Sequence, residues 1–292
     1  MPPIIEGASF MLVIQDLSYV REDFELSIDY IEINKGITIV VGSNGAGKST
    51  FLQLLATAIT PDKGIVVYDG LTIEDNLPFV RSEIGFLPTG MEIYEEMTAR
   101  KFLNYMSQLK GNVHKTELDA VMSTFALIEI KNKKVKKLSQ GMKQRLCAAQ
   151  AFLGNPSYIL LDEPLTSLDR MERQRFLSYC KKQSRKKTIL IATHELNEWE
   201  AIADHILWLD GGNIIFYGSC DDWKTDLPLS VWVGTIPNEL LSSFQDENMI
   251  ALKLTEQEAE LRIIAKCPPF PSFQKVSPTI EDAYFIRKRM LK

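Results

Sequence analysis

The sequence predicts an α/β protein whose core is a parallel sheet, with antiparallel strands before it and a small α+β extension after it. Three short apolar runs carry this prediction, at residues 37–41, 158–161 and 188–192. Each lacks the alternation of a half-exposed strand, and each is followed by a helical pattern. Buried strands that alternate with helices are typical of parallel sheets covered by helices.

The chain before the first buried run shows partial alternation of apolar and polar residues, over residues 11–32. This pattern predicts antiparallel strands with one solvated face. After the first buried run, a helix is expected from Lys48 to about Ile59, where the turn-forming residues 60–64 end it.

A helical insert separates the first and second buried runs. Its helical patterns span about residues 99–152, within a helical subdomain expected at about 90–155. Further along, two apolar runs flank Asp-Gly-Gly-Asn in residues 206–217, which predicts a hairpin. Short alternating stretches then follow, with a proline-containing loop and a last helix near residues 280–290.

The length and composition are those of an ordinary globular protein. At about 150 residues per domain, 292 residues give roughly two domains, and the change of pattern predicts domains at 1–218 and 219–292. The apolar content of 45% is sufficient for a sizeable core in each. A net charge of −5 has the wrong sign for broad contacts with a phosphate backbone, so we expect no nucleic-acid partner.

No segment of the sequence predicts membrane insertion or secretion. The apolar runs are far shorter than the roughly 18 residues that a spanning helix needs. Residues 1–6 lack the basic and apolar regions of a secretory signal, so we expect a cytoplasmic protein. The four cysteines are predicted to be free thiols because no two of them have C-x-x-C spacing.

A phosphate-binding loop is predicted directly after the first buried run. Residues 42–49 read Gly-Ser-Asn-Gly-Ala-Gly-Lys-Ser and match G-x-x-x-x-G-K-[ST], the Walker A motif, between a strand and a helix. Glycines let successive N–H groups turn toward phosphate oxygens, and the helix N-terminus adds positive partial charge. Lys48 is placed for the β- and γ-phosphates, and Ser49 for Mg²⁺. The residues predicted to contact the nucleotide here are Ser43, Asn44, Gly45, Ala46, Gly47, Lys48, Ser49 and Thr50.

Two adjacent carboxylates follow the second buried run. Asp162 and Glu163 stand at the C-terminal end of the strand, where ligands bind in open parallel sheets. Asp162 is placed to hold Mg²⁺ directly or through water, and Glu163 to orient and polarise an attacking water. Such a pair alone is also typical of the start of a solvated loop, so this interpretation depends on the motif at residues 42–49.

A third motif, Leu-Ser-Gln-Gly-Met-Lys-Gln-Arg at residues 138–145, identifies a family. With the other two it resembles the signature of ATP-binding-cassette (ABC) ATPases, whose usual central Gly-Gly pair is here Gln140 and Gly141. Ser139 is predicted to cap a helix whose first N–H groups form a second anion site. The resemblance implies a head-to-tail dimer, with ATP between residues 42–49 of one chain and the signature of the other.

Shorter motifs agree with this resemblance. Asp169, in residues 167–169, looks like the D-loop, which in the family communicates across the dimer. His194 follows the third buried run and matches the switch histidine that contacts the γ-phosphate and water, although a lone histidine more often makes a structural hydrogen bond. Tyr19 is the candidate for stacking on adenine; Phe24 competes with it, and a core role is an equal alternative.

The segment at residues 84–90 resembles the family's Q-loop, with one departure. A glutamine normally links Mg²⁺ and water to the transmembrane partner at this position, whereas this chain has Thr89, a candidate metal ligand. Threonine is shorter than glutamine, so we expect altered metal coordination, altered coupling, or both.

The resemblance covers about residues 10–218, with five motifs in family order. It implies an ATP-hydrolysing subunit that uses ATP and Mg²⁺ and forms a homodimer or heterodimer. It also implies separate membrane-spanning subunits as partners, and a place at the cytoplasmic face of the membrane. Residues 278–284 resemble, more weakly, the end of drug, lipid or peptide exporter subunits, which favours export.

The alternative is a soluble ABC ATPase that acts on ribosomes or DNA, or a regulator without turnover. Tandem-cassette translation factors need two phosphate loops in one chain, and this sequence has one. Chromosome-type members need long coiled coils, for which no pattern is found. Intact Lys48, Asp162 and Glu163 argue against an inactive regulator.

Overall fold

The computed structural model describes residues 11–111, 114–243 and 248–291, which fall into two compact units. The first lies within Met1–His194 and Ile202–Tyr217, and the second within Glu195–Ala201 and Gly218–Lys292. Residues 1–6, on which the expectation of no secretory signal rests, lie outside the described residues.

One sheet of nine strands runs through the described part of the first unit. The strands are β1 (Leu12–Arg21), β2 (Phe24–Ile33), β3 (Gly36–Val41), β4 (Lys63–Tyr68), β5 (Ile84–Leu87), β6 (Tyr158–Asp162), β7 (Thr188–Ala192), β8 (His205–Asp210) and β9 (Asn213–Ser219). Their order in the sheet is β4-β1-β2-β9-β8-β3-β7-β6-β5. The strands from β8 to β5 pair in parallel, and β1 pairs antiparallel with β2 and β4.

The three predicted buried runs are β3, β6 and β7, and every residue in them is buried. Their side chains face apolar neighbours on both sides of the sheet, which is why their sequences are continuous rather than alternating. The parallel α/β core and the antiparallel strands before it are therefore confirmed. The predicted hairpin is β8 and β9, joined by Gly211 and Gly212.

Six helices accompany this sheet in the described part of the first unit. They are α1 (Lys48–Leu55), α2 (Ile73–Ser82), α3 (Ala99–Leu109), α4 (Lys115–Thr124), α5 (Gln140–Ala151) and α6 (Arg170–Ser184). Between β5 and β6 lie α3, α4 and α5, together with a 3-10 turn at Val135–Lys137, so the insert is helical as expected.

The predicted helix from Lys48 to about Ile59 is wrong at its end. The α-helix stops at Leu55, and Thr57 has a positive φ of 54°. A β-branched residue in the left-handed region cannot continue a right-handed helix. The helix therefore ends before Pro61 and Gly64, the turn-forming residues that were expected to end it.

The second unit contains a four-stranded antiparallel sheet with short helices, as expected for an α+β extension. Its elements are α7 (Leu196–Trp199), α8 (Cys220–Lys224), β10 (Ser230–Pro237), a 3-10 turn (Asn238–Ser243), β11 (Met249–Leu254), β12 (Glu258–Ala265), β13 (Gln274–Val276) and α9 (Ile280–Met290). The strand order is β11-β12-β10-β13. Arg262 of β12 pairs with the buried Asp282 of α9.

Over the described ranges, no helix combines the length and the apolar character that crossing a bilayer requires. The four cysteines are free thiols, and Cys147 and Cys180 are buried.

Two lysines lie where β5, β6 and β7 begin; Lys187 is buried and Lys110 is half-buried. The Lys187 ammonium donates to Asn155 Oδ1 at 2.7 Å and Pro156 O at 2.6 Å, and Lys110 Nζ donates to Ile84 O at 3.0 Å. Burial lowers the pKa of both amines to about 8. Desolvation disfavours the charged form, and this outweighs the carboxylates nearby.

We expect Lys187 to make stability rise with pH. Above pH 8 the folded amine has lost its proton, while the unfolded lysine keeps it until about pH 10.5, so the free energy of unfolding increases across that window. Between pH 7 and 10, wild type should gain about 2 kcal/mol relative to Lys187→Met in urea denaturation. Lys186→Met, which removes an exposed neighbouring amine, is the control. Equal pH dependence of the two variants would contradict this account.

Candidate functional site

The loop at residues 42–49 joins β3 to α1 at the C-terminal edge of the parallel strands. Gly47 occupies the N-cap position of α1 with φ 101°, and a Cβ on it would lie 2.6 Å from Phe24 Cζ. The positive φ favours glycine there, and the Phe24 ring occupies the space that a Cβ would fill. Lys48 Nζ donates to Gly42 O at 2.8 Å and to Ser43 O at 3.1 Å, which holds the amine along the inside of the loop.

The two carboxylates at the end of β6 have different surroundings. Asp162 is buried at the end of the strand. Glu163 turns the chain with φ 50°, and its N–H donates to Ala192 O at 2.9 Å. One carboxylate oxygen of Glu163 accepts from Thr193 Oγ1 at 3.2 Å and lies 3.0 Å from His194 Nδ1. His194 is 72% exposed, so its imidazole stands at the solvent side of this carboxylate.

A cleft of about 520 Å³ brings most of the predicted site together. The residues that line it are Tyr19, Arg21, Glu22, Phe24, Ser43, Asn44, Gly45, Gly47, Lys48, Ser49, Thr50, Thr89, Asp162 and Glu163. Both adenine candidates and the Q-loop threonine are among them. Ala46 is buried behind the loop instead.

The signature residues lie elsewhere. Ser139 caps α5 and accepts from Met142 N at 3.3 Å, as predicted, so the α5 N-terminus is a capped helix start with positive partial charge. Over the described residues, the lining of the cleft does not include Ser139, Gln140, Gly141 or Asp169. Asp169 caps α6, and its carboxylate accepts from Glu172 N at 2.8 Å.

Sequence reasoning missed three residues around this site. Arg21 and Glu22 line the cleft because Arg21 ends β1 and Glu22 begins the turn to β2, and the register of these two strands is set by tertiary pairing. The Thr193 hydroxyl was passed over beside His194, although both follow β7 directly. A polar residue after a buried strand was the available signal.

The chain matches the protein family described as ABC transporter over residues 29–166. It is 32% identical over 197 residues to the ABC transporter ATP-binding protein NatA of Bacillus subtilis (strain 168), which is 65% of this chain and 80% of NatA. The chain belongs to the ABC transporter ATP-binding proteins. The uncharacterized ABC transporter ATP-binding protein YxlF of the same organism is 30% identical over 94% of this chain and 98% of its own length. A solved ATP-binding subunit of an ABC transporter matches with TM-score 0.66 at 25% identity, over 73% of this chain and 92% of that chain.

The resemblance stated from sequence is thereby confirmed, and this ABC ATPase is an ATP-binding subunit of a transporter. Its cleft fits MgATP chemically. The loop offers backbone N–H groups and an amine for phosphates, and Gly45 faces open space. Ser49 and Asp162 supply two oxygen donors beside it, which suits Mg²⁺, since this ion takes few protein ligands and completes its shell with phosphate and water.

We expect Gly47→Ala to weaken ATP binding at least about tenfold, because the new methyl group meets Phe24 and shifts the loop. Gly70→Ala is the matched control: Gly70 also has a positive φ, of 84°, but no atom lies within 4 Å of an added Cβ. Both variants carry the backbone strain, and only Gly47→Ala carries the collision. Calorimetric titration with ATP measures the difference, and similar affinities for the two variants would contradict the predicted role of the loop.

Proposed function

We propose that this ABC ATPase hydrolyses MgATP as a head-to-tail dimer and drives transport through separate membrane-spanning subunits at the cytoplasmic face of a membrane. The observation that carries the proposal is the Glu163 carboxylate. It lines the same cleft as Lys48 and is oriented by Thr193 and His194. A carboxylate fixed beside a phosphate-binding loop is suited to activate a water molecule.

The residues in and beside the cleft have two main roles, phosphate binding and proton transfer. The N–H groups of the loop and Lys48 bind the phosphates and stabilise the charge that develops on them. Glu163 orients the attacking water and accepts its proton, while Thr193 and His194 keep the carboxylate from rotating away. Ser49 and Asp162 would hold Mg²⁺, which supplies charge neutralisation at the phosphate oxygens.

We infer the dimer because each chain has two anion sites. One bound ATP cannot contact both sites of the same chain. One is the α1 N-terminus in the cleft, and the other is the α5 N-terminus with Ser139. Both are helix starts with positive partial charge. Head-to-tail pairing puts the α5 start of each chain over the cleft of the other, and either identical or different chains satisfy this geometry. The favoured direction, export, rests on the resemblance of residues 278–284.

Glu163→Gln should slow turnover by at least about 10²-fold and leave ATP binding intact, since the amide cannot accept the proton. With ATP this variant should accumulate as a dimer in light scattering. Adding Ser139→Arg should abolish the dimer, because the large side chain fills the anion site at the α5 start. Glu198→Gln, which neutralises an exposed carboxylate, is the control. Wild-type turnover by Glu163→Gln would overturn the water-activating role, and an ATP dimer that persists with Ser139→Arg would overturn head-to-tail pairing.

Thr89→Gln tests the departure in the Q-loop. Threonine is stiff at χ1 and shorter than glutamine, so a water molecule has to fill the gap to the metal. Since Ser49 and Asp162 remain, we expect Thr89→Gln to change the ATPase rate with the membrane partner more than the rate of the isolated subunit. The two rates, measured for wild type and variant, decide the point. Equal rates with and without partner in both proteins would show that residue 89 does not couple ATP hydrolysis to the membrane partner.

A further inference from the structure

One face of the signature helix α5 lies against the segment that follows β6 in the same chain. Positions 141, 144 and 145 share this face, since residues three and four apart are neighbours on a helix. At Gly141 the approach is close, because an added Cβ would lie 2.8 Å from Ser167 O. The start of the signature helix and the D-loop backbone are therefore in direct contact.

Gln144 connects this helix to the backbone at the catalytic carboxylate. Its side-chain Nε2 lies 3.2 Å from Pro164 O and 3.4 Å from Glu163 O, and donates to both. The N–H of Glu163 is meanwhile bonded to Ala192 O. The peptide groups on both sides of the Glu163 Cα are therefore held, one by β7 and the other by the signature helix.

Arg145 connects the same helix to the D-loop. Its Nε lies 3.0 Å from Glu172 Oε1, and the two side chains are only 14% and 18% exposed. The other oxygen of Glu172 accepts from the Asp169 N–H at 3.1 Å, closing the capping box of α6. Nη1 of Arg145 also donates to Ala126 O at 2.9 Å, which anchors the guanidinium within the helical subdomain.

We propose that Gln144 and Arg145 are positioning residues that make the placement of Glu163 and Asp169 depend on the placement of the signature helix. The proposal rests on the head-to-tail dimer proposed above. In that dimer the signature of a chain meets one ATP, while Glu163 of the same chain serves the other. ATP held against the signature of a chain therefore acts, through Gln144 and Arg145, on the position of the Glu163 carboxylate of that same chain.

Mixed dimers test the direction of this coupling. Two full-length chains with different affinity tags are combined, one of them carrying Glu163→Gln, so that a single live glutamate remains. Gln144→Met is then placed either on the chain with the live glutamate or on its partner. We expect turnover at least about tenfold slower in the first arrangement than in the second. The reverse order, or equal rates, would overturn the proposal, because a residue that only faces the nucleotide acts from the partner chain.

A second measurement does not depend on activity or dimerisation. In the nucleotide-free chain, amide hydrogen exchange over residues 163–169 should be at least about tenfold faster in Gln144→Met and Arg145→Met than in wild type, with β7 unchanged. Arg145→Lys should restore slow exchange in part. Gln174→Met and Arg175→Met, which replace exposed residues of α6, are the controls. Wild-type exchange in both α5 variants would overturn the proposal. Faster exchange in a chain that neither dimerises nor hydrolyses ATP would count against the proposed function alone.

Discussion

The hydrogen bond from the Glu163 N–H to Ala192 O is the interaction on which the arrangement of the site depends. It extends the pairing of β6 with β7 beyond the last strand residue while the chain turns at a positive φ. A non-glycine residue in this conformation costs of order 1–3 kcal/mol and persists only where its surroundings hold it. Here Gln144 holds the carbonyl side, and Thr193 and His194 hold the carboxylate. These contacts hold the strained backbone and so fix the direction of the Glu163 carboxylate, the group proposed to activate water.

Anion binding in this subunit is local rather than a property of the whole surface. The chain carries a net charge of −5, which repels anions at long range, so affinity for phosphate has to come from N–H groups at short range. Two helix starts provide them, at Gly47 and at Ser139. The separation of these starts within one chain is the physical basis of the proposed head-to-tail dimer.

The sequence predicted those parts of the structure in which a local pattern reports a three-dimensional environment. The runs that became β3, β6 and β7 are apolar throughout because both sides of each strand are covered. The end of α1 could not be predicted, since the positive φ of Thr57 replaces the usual glycine signal. The contacts of Gln144 and Arg145 could not be predicted from the sequence either. They join residues about 20 to 27 positions apart, which meet only after α5 and α6 have packed. The sequence pattern also could not show that Glu195–Ala201 belongs to the second unit, since the residues on either side of it belong to the first.

Interchain cross-linking tests the composite site most directly. Asn44 lies exposed in the phosphate loop and Ser139 lies exposed at the α5 start. In a chain whose four native cysteines are replaced by serine, Asn44→Cys and Ser139→Cys together should form a covalent dimer under mild oxidation when ATP is bound, and each substitution alone should not. The head-to-tail account predicts two disulfides per dimer that depend on ATP. A chain that stays monomeric under oxidation, or that cross-links equally well without nucleotide, would contradict it.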